Sequence, residues 1–86
     1  MGKYLGLWIE TEKIQDIEEV KRLWDKFEKL KSLVKLLLSL EITENSRHGK
    51  DWTIIEIEQP KDVEEILELC RDLKLGRYLQ YKVYDI

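Results

Sequence analysis

The pentapeptide DIEEV at residues 16–20 returns as DVEEI at residues 62–66, an offset of 46 positions. Around it the likeness widens. Ile9, Glu10, Glu12, Asp16, Glu18, Glu19 and Leu23 fall on Ile55, Glu56, Glu58, Asp62, Glu64, Glu65 and Leu69, seven identities in fifteen ungapped positions. Glutamate-rich helix starts resemble one another by chance, but here both copies imply the same local structure, which favours a structural repeat.

In each copy an alternating stretch precedes a helical one. In YLGLWIE (4–10) Leu5, Leu7 and Ile9 share a face, and in WTIIEIE (52–58) Thr53, Ile55 and Ile57 do, the period of two of a strand. An aspartate then stands three residues before a glutamate, Asp16 with Glu19 and Asp62 with Glu65, a variant of the capping box. Each aspartate is expected to accept from exposed amides of a first helical turn, with Glu18 and Glu64 suiting the positive end of the dipole. Beyond Asp16, Ile17, Val20, Leu23, Trp24, Phe27, Leu30, Leu33 and Val34 form one helical stripe. Beyond Asp62 the stripe is Val63, Ile66, Leu67, Cys70 and Leu73, with Gly76 as the expected left-handed cap.

Two further strands are predicted. KLLLSLEIT (35–43) sets Leu36, Leu38, Leu40 and Ile42 against Leu37, Ser39, Glu41 and Thr43. RYLQYKVYD (77–85) sets Leu79, Tyr81 and Val83 against Tyr78, Gln80, Lys82 and Tyr84. ENSRHGKD (44–51) is polar with one glycine and reads as a hairpin loop. No Gly or Pro marks the border between the first helix and the second strand, which makes it the least constrained boundary. The order strand, helix, strand, strand, helix, strand predicts one α+β domain over residues 1–86, a ferredoxin-like βαββαβ sandwich with both helices on one face of a four-stranded antiparallel sheet.

Composition narrows the function classes. A chain of 86 residues buries a modest share of its surface, so an oligomer interface would help it. The single cysteine, Cys70, excludes an internal disulfide, and no second cysteine or histidine cluster makes a zinc site. Cys70 lies on the packing stripe and reads as a small buried apolar group. Neither a signal-peptide core nor a membrane-length apolar run occurs, so a cytoplasmic protein without membrane contact is expected. Charged residues make up 38% of the chain and alanine is absent, a bias like that of proteins from hot environments, where ion-pair networks gain value. The net charge of −3 argues against a large phosphate-binding surface and against nucleic acid as a partner. Arg47, His48 and Lys50 are read as solubilising the hairpin.

With the helices on one side, the opposite face carries Tyr4, Trp8, Glu41, Trp52, Ile54, Glu56, Tyr78, Lys82 and Tyr84. Two Trp and three Tyr are too many for bare solvent, and the interleaved charges are too many for a core, so these nine residues are the candidate ligand or interface set.

The stretches KYLGLWIE (3–10), VKLLLSLEIT (34–43) and WTIIEIEQPKDVEEIL (52–67) resemble in layout the dimeric alpha+beta barrel proteins. That resemblance implies ferredoxin-like subunits that dimerise through their sheets, in a superfamily that includes monooxygenases, isomerases and proteins without known activity. Aromatic residues on central strands also suit RNA recognition, with Trp8 and Trp52 stacking on bases. Against this, an RNP1-type run is missing, and Glu10, Glu56 and Glu58 share the face. For catalysis, Glu41 and Glu56 would pair as carboxylates, His48 would act as base and Tyr84 or Tyr78 as proton donor. No nucleophile on a defined turn and no metal-ligand spacing accompanies them.

The sequence therefore leans away from an enzyme. It favours an interaction module without cofactor, a homodimer or higher homo-oligomer through its aromatic face, open to a protein partner or a small organic ligand. A small barrel enzyme acting on an organic ligand at that face is the alternative.

Overall fold

The computed structural model describes residues 2–47 and 50–85. Strand β1 (Lys3–Ile9) leads to α1 (Ile17–Leu33), which runs into a π-helical turn (Val34–Leu38). Strands β2 (Ile42–Arg47) and β3 (Lys50–Ile57), helix α2 (Lys61–Asp72) and strand β4 (Leu79–Asp85) follow. The sheet is antiparallel throughout with order β2-β3-β1-β4. This is the ferredoxin-like arrangement predicted from the repeat.

The two copies of the repeated pentapeptide do different work. Asp16 is the N-cap of α1, its carboxylate accepting from the Glu18 amide at 3.0 Å. Asp62 sits inside the first turn of α2, which begins at Lys61 behind Pro60. Its buried carboxylate reaches backward, accepting from the amides of Gln59 at 2.9 Å and Glu58 at 3.3 Å. Proline at the start of the second copy explains the shift. Its φ of −55° already suits a helix, so the turn closes earlier and the aspartate serves the chain entering the helix.

The end of α2 is a Schellman motif. The Lys74 amide donates to the Arg71 carbonyl and the Leu75 amide to the Cys70 carbonyl, each at 2.9 Å, with Leu75 fully buried beside Cys70. The left-handed residue is Lys74, at φ 60°, and not Gly76 as expected. Burial of Leu75 holds this register against the steric cost of a lysine there.

The largest departure is at residues 34–47. KLLLSLEIT does not form the second strand. Val34 is completely buried and continues the series Leu23, Phe27 and Leu30 at helical spacing, so the helix runs on through Leu38 with i to i+5 widening. Ser39, at φ 54°, ends it in the left-handed conformation. The period-two reading required Leu36 to be inside, and it is 78% exposed. Strand β2 therefore keeps only Ile42 and Thr43 of that stretch and takes the first four of the eight residues expected as a loop, and Arg47 pairs with Lys50. His48 and Gly49, between them, lie outside the described residues, as does any role for His48 as a base.

The core is formed by Leu5, Leu7, Ile9, Ile55 and Ile57 of the middle strands against Leu23, Phe27, Leu30, Ile66 and Cys70 of the helices. Tyr81 and Val83 share the helix side, opposite Leu7 and Leu5, yet remain 51% and 39% exposed. They were expected beneath the helices. The helices cover the two middle strands, and the edge strand β4 is covered only at Leu79. Among the described residues no helix is long and apolar enough to cross a membrane.

Candidate interaction face and end cleft

The face of the sheet away from the helices is organised in cross-strand rows. Tyr4 stands between Glu56 and Tyr84, Gly6 between Ile54 and Lys82, and Trp8 beside Gln80. Residues directly opposite in an antiparallel pair point to the same side, so the register alone fixes this grouping. Tyr4, Trp8, Trp52, Ile54 and Tyr84 are half-buried, whereas Glu56 and Lys82 are exposed.

Gly6 is the floor of the cluster. A Cβ there would meet Trp52 Cε3 at 3.0 Å, Tyr84 Cε2 at 3.1 Å and Trp52 Cζ3 at 3.2 Å. The two rings thus lean in from the flanking strands over a position without a side chain, along the diagonals that join cross-strand neighbours. The Trp8 and Trp52 centroids are 4.0 Å apart with planes inclined at 51°. Such a pair contributes about 0.5–1.5 kcal/mol beyond its burial. Trp8 Nε1 donates to Glu10 Oε1 at 2.8 Å, and the Lys82 ammonium lies 5.3 Å from the Tyr84 ring centre. The result is an aromatic platform with carboxylates along one side and an ammonium on the other.

Seven of the nine candidates belong to this face: Tyr4, Trp8, Trp52, Ile54, Glu56, Lys82 and Tyr84. Glu41 precedes β2, and its carbonyl accepts from the Glu56 amide at 3.1 Å, which extends the sheet by one residue and sets the two side chains side by side at its margin. Both are exposed, unlike the desolvated pocket in which a paired carboxyl serves as a general acid.

Tyr78 parts from the group. It precedes β4 and turns to the end of the sheet, where its hydroxyl donates to Glu19 Oε1 at 2.9 Å. That bond holds the phenol above its ordinary range, because losing the proton would leave two anions facing each other. The structural part of Gly6 escaped the sequence reading, although a glycine in mid-strand between Tyr4 and Trp8 was its signal.

At that end a cleft of about 770 Å³ opens between the β1–α1 connection and the turn before β4, lined by Trp8, Glu10, Lys13, Glu19, Arg77 and Tyr78 among others. Charges of both signs line it, and the Arg77 guanidinium lies 5.6 Å from the Tyr78 ring centre. No group of three or more His, Cys, Asp or Glu side chains able to hold a metal ion occurs among the described residues.

Away from the face, Lys31 ties α1 to β2. It pairs with Glu28 at 2.6 Å and also with Glu44, and lies 5.4 Å from the centre of the Phe27 ring. Burial opposes its charge, but the two carboxylates outweigh that and raise its pKa. The same contact, through its hydrogen bond first, lowers the pKa of Glu44. The Cys70 thiol is buried, which pushes its pKa up to about 11 and suits an apolar packing group.

No protein-family model matches the sequence, and no curated protein matches it. Among solved structures the chain is similar to the de novo designed protein Ferredog-Diesel, at 21% identity with a TM-score of 0.54 over 96% of this chain and 82% of that one. It is also similar to 30S ribosomal protein S6 from Thermotoga maritima, at 15% identity with a TM-score of 0.55 over 96% of this chain and 85% of that one. At these identities the likeness is one of fold: two helices on a four-stranded antiparallel sheet, the ferredoxin-like layout.

Proposed function

We propose that the protein is an interaction module that self-associates through the aromatic face of its sheet. The observation that carries this reading is the platform of Trp8, Trp52 and Tyr84 over Gly6, half-buried within one chain and left open by both helices. An apolar patch rimmed by charges is the ordinary mark of a contact surface.

The charge pattern suits a two-fold arrangement. Glu56 lies on β3 and Lys82 on β4, on opposite flanks of β1. A two-fold axis along β1, between facing sheets, sets each β3 over the partner's β4 and brings the carboxylate of one copy within reach of the ammonium of the other. Four strands at ~4.8 Å spacing and six residues at ~3.4 Å give a plane of roughly 19 by 20 Å. That is roughly 380 Å² per copy and about 760 Å² in total, below the ~1,200 Å² at which stable interfaces begin, so the association is expected to be weak and transient, with a dissociation constant in the micromolar range or above.

Charge reversal tests the pairing without touching the core. Glu56→Lys and Lys82→Glu are each expected to lower the solution mass toward the monomer in sedimentation experiments, and the double reversal to restore it. Unchanged mass in both single variants, with circular dichroism showing a native fold, would refute the reading. The glutamates on this face also oppose phosphate binding. Titration with single-stranded RNA at low salt is accordingly expected to give no saturable binding, and tight, salt-sensitive binding would replace self-association as the function of the face.

A further inference from the structure

On the helix side a second surface has no part in the sheet-face reading. Leu36 and Leu37, in the π-helical turn after α1, are 78% and 65% exposed. They are among the most exposed large apolar side chains of the described residues. Next to them a groove of about 200 Å³ separates the turn from α2, lined by Leu37, Leu38 and Leu69 and by Glu65, Glu68 and Asp72. The three carboxylates stand at i, i+3 and i+7 along α2, flanking Leu69. No lysine or arginine lines the groove, and none of the three forms an ion pair among the described residues.

We propose that this groove docks a basic, leucine-bearing helical segment of a partner protein. The apolar floor of Leu37, Leu38 and Leu69 offers room for an aliphatic side chain, with Leu36 extending the contact outside it. The acidic edge selects the sign of the flanking charges: a Lys- or Arg-bearing helix gains three complementary partners there, whereas an acidic segment or an anionic lipid surface meets repulsion. The backbone gives the site its form. The left-handed Ser39 stops the helix directly after Leu38, so the leucines stand at a fixed corner beside α2.

The test uses a fluorescein-labelled synthetic peptide with leucines at i, i+3, i+4 spacing and lysines elsewhere, beside a matched peptide with glutamates in place of the lysines. Fluorescence anisotropy is expected to show binding of the lysine peptide alone, weakening with salt. Amide shift changes in ¹H–¹⁵N spectra should be confined to the π-helical turn and α2. The Leu36→Ser/Leu37→Ser variant, altered at exposed positions that the core does not use, should bind roughly tenfold or more weakly. Glu68→Gln should cost about two- to fivefold.

Equal binding of the two peptides, no binding, shift changes on the sheet face, or unchanged affinity of the leucine variant would each overturn the proposal. A fall in oligomeric mass caused by the leucine variant would also overturn it, since the groove would then be occupied by a second copy. The charge reversals at Glu56 and Lys82 lie on the other side of the sheet and should leave peptide binding unchanged, so the two surfaces stand or fall separately.

Discussion

Replacing Gly6 by alanine sets two opposed effects of known sign against each other. The backbone at Gly6 is an ordinary strand conformation, so a Cβ reduces the freedom of the unfolded chain and would by itself stabilise the fold by about 0.4–1 kcal/mol. The same Cβ meets ring carbons of Trp52 and Tyr84 at 3.0–3.2 Å, where contacts between carbons are comfortable at about 3.5–4.0 Å. Both rings must retreat by roughly half an ångström, and the Trp8 contact behind Trp52 limits that retreat. Overpacking of this kind costs about 1–3 kcal/mol. The net expectation is a loss of ~1–2 kcal/mol, and each kcal/mol is worth about 4–8 °C in Tm for a domain of this size.

The assay is urea denaturation followed by far-ultraviolet circular dichroism, at two protein concentrations so that any coupling to association is visible. A double-mutant cycle with Trp52→Leu isolates the contact. Removing the indole deletes two of the three close atoms, so Gly6→Ala should cost at least ~1 kcal/mol less in that background. If Gly6→Ala stabilises the wild type, or costs the same with and without Trp52, the two rings do not close over Gly6, and the platform that supports self-association is lost with them.

Three further outcomes follow from the helix ends and the core. Lys74→Gly should stabilise the fold by about 0.5–1 kcal/mol in the same denaturation assay, because Lys74 occupies a left-handed position that glycine adopts without penalty. Asp62→Ala should cost about 1–3 kcal/mol and exceed the ~1 kcal/mol of Asp16→Ala, since Asp62 is buried and accepts from two amides whereas Asp16 caps at the surface. Burial raises the Cys70 thiol from an ordinary value near 9 to about 11. The unfolded chain therefore loses that proton first, and stability should fall by ~1.4 kcal/mol per pH unit as pH rises from 9 to 11. Cys70→Ala should flatten this part of the pH profile, and the native thiol should react with a disulfide reagent only as fast as the protein opens.

Where a local signal and the global packing agreed, the fold was legible in the chain. The alternations at 4–10 and 52–58 placed the correct residues against the helices, and the stripes of α1 and α2 named most of the helix core. The grouping of Tyr4, Trp8, Trp52, Ile54, Glu56, Lys82 and Tyr84 followed from that parity alone. KLLLSLEIT was ambiguous in principle, because a short leucine run satisfies both a period of two and a helical repeat. Burial of Val34 under the sheet settled it in favour of the helix. Tyr78 was misplaced because alternation was extended one residue beyond a strand that starts at Leu79, and the hydrogen bond to Glu19 draws the ring to the sheet end.

The sequence by itself determined the order of elements, the start of the first helix and the side of the sheet on which Tyr4, Trp8, Trp52 and Tyr84 stand. These follow from periodicity and capping, which act over a few neighbouring residues. Only the tertiary structure decided where α1 stops, that Asp62 reaches back to cap the chain before its helix, that Lys74 takes the left-handed turn, and that two rings close over Gly6. The first, third and fourth of these choices are set by what a residue meets from a distant part of the chain: Val34 beneath the sheet, Leu75 in the core, Trp52 and Tyr84 above a strand 46 and 78 positions before them, whereas Asp62 answers to Pro60 two positions before it. Contacts of that range leave no period in the letters, so they become visible only when the chain is folded.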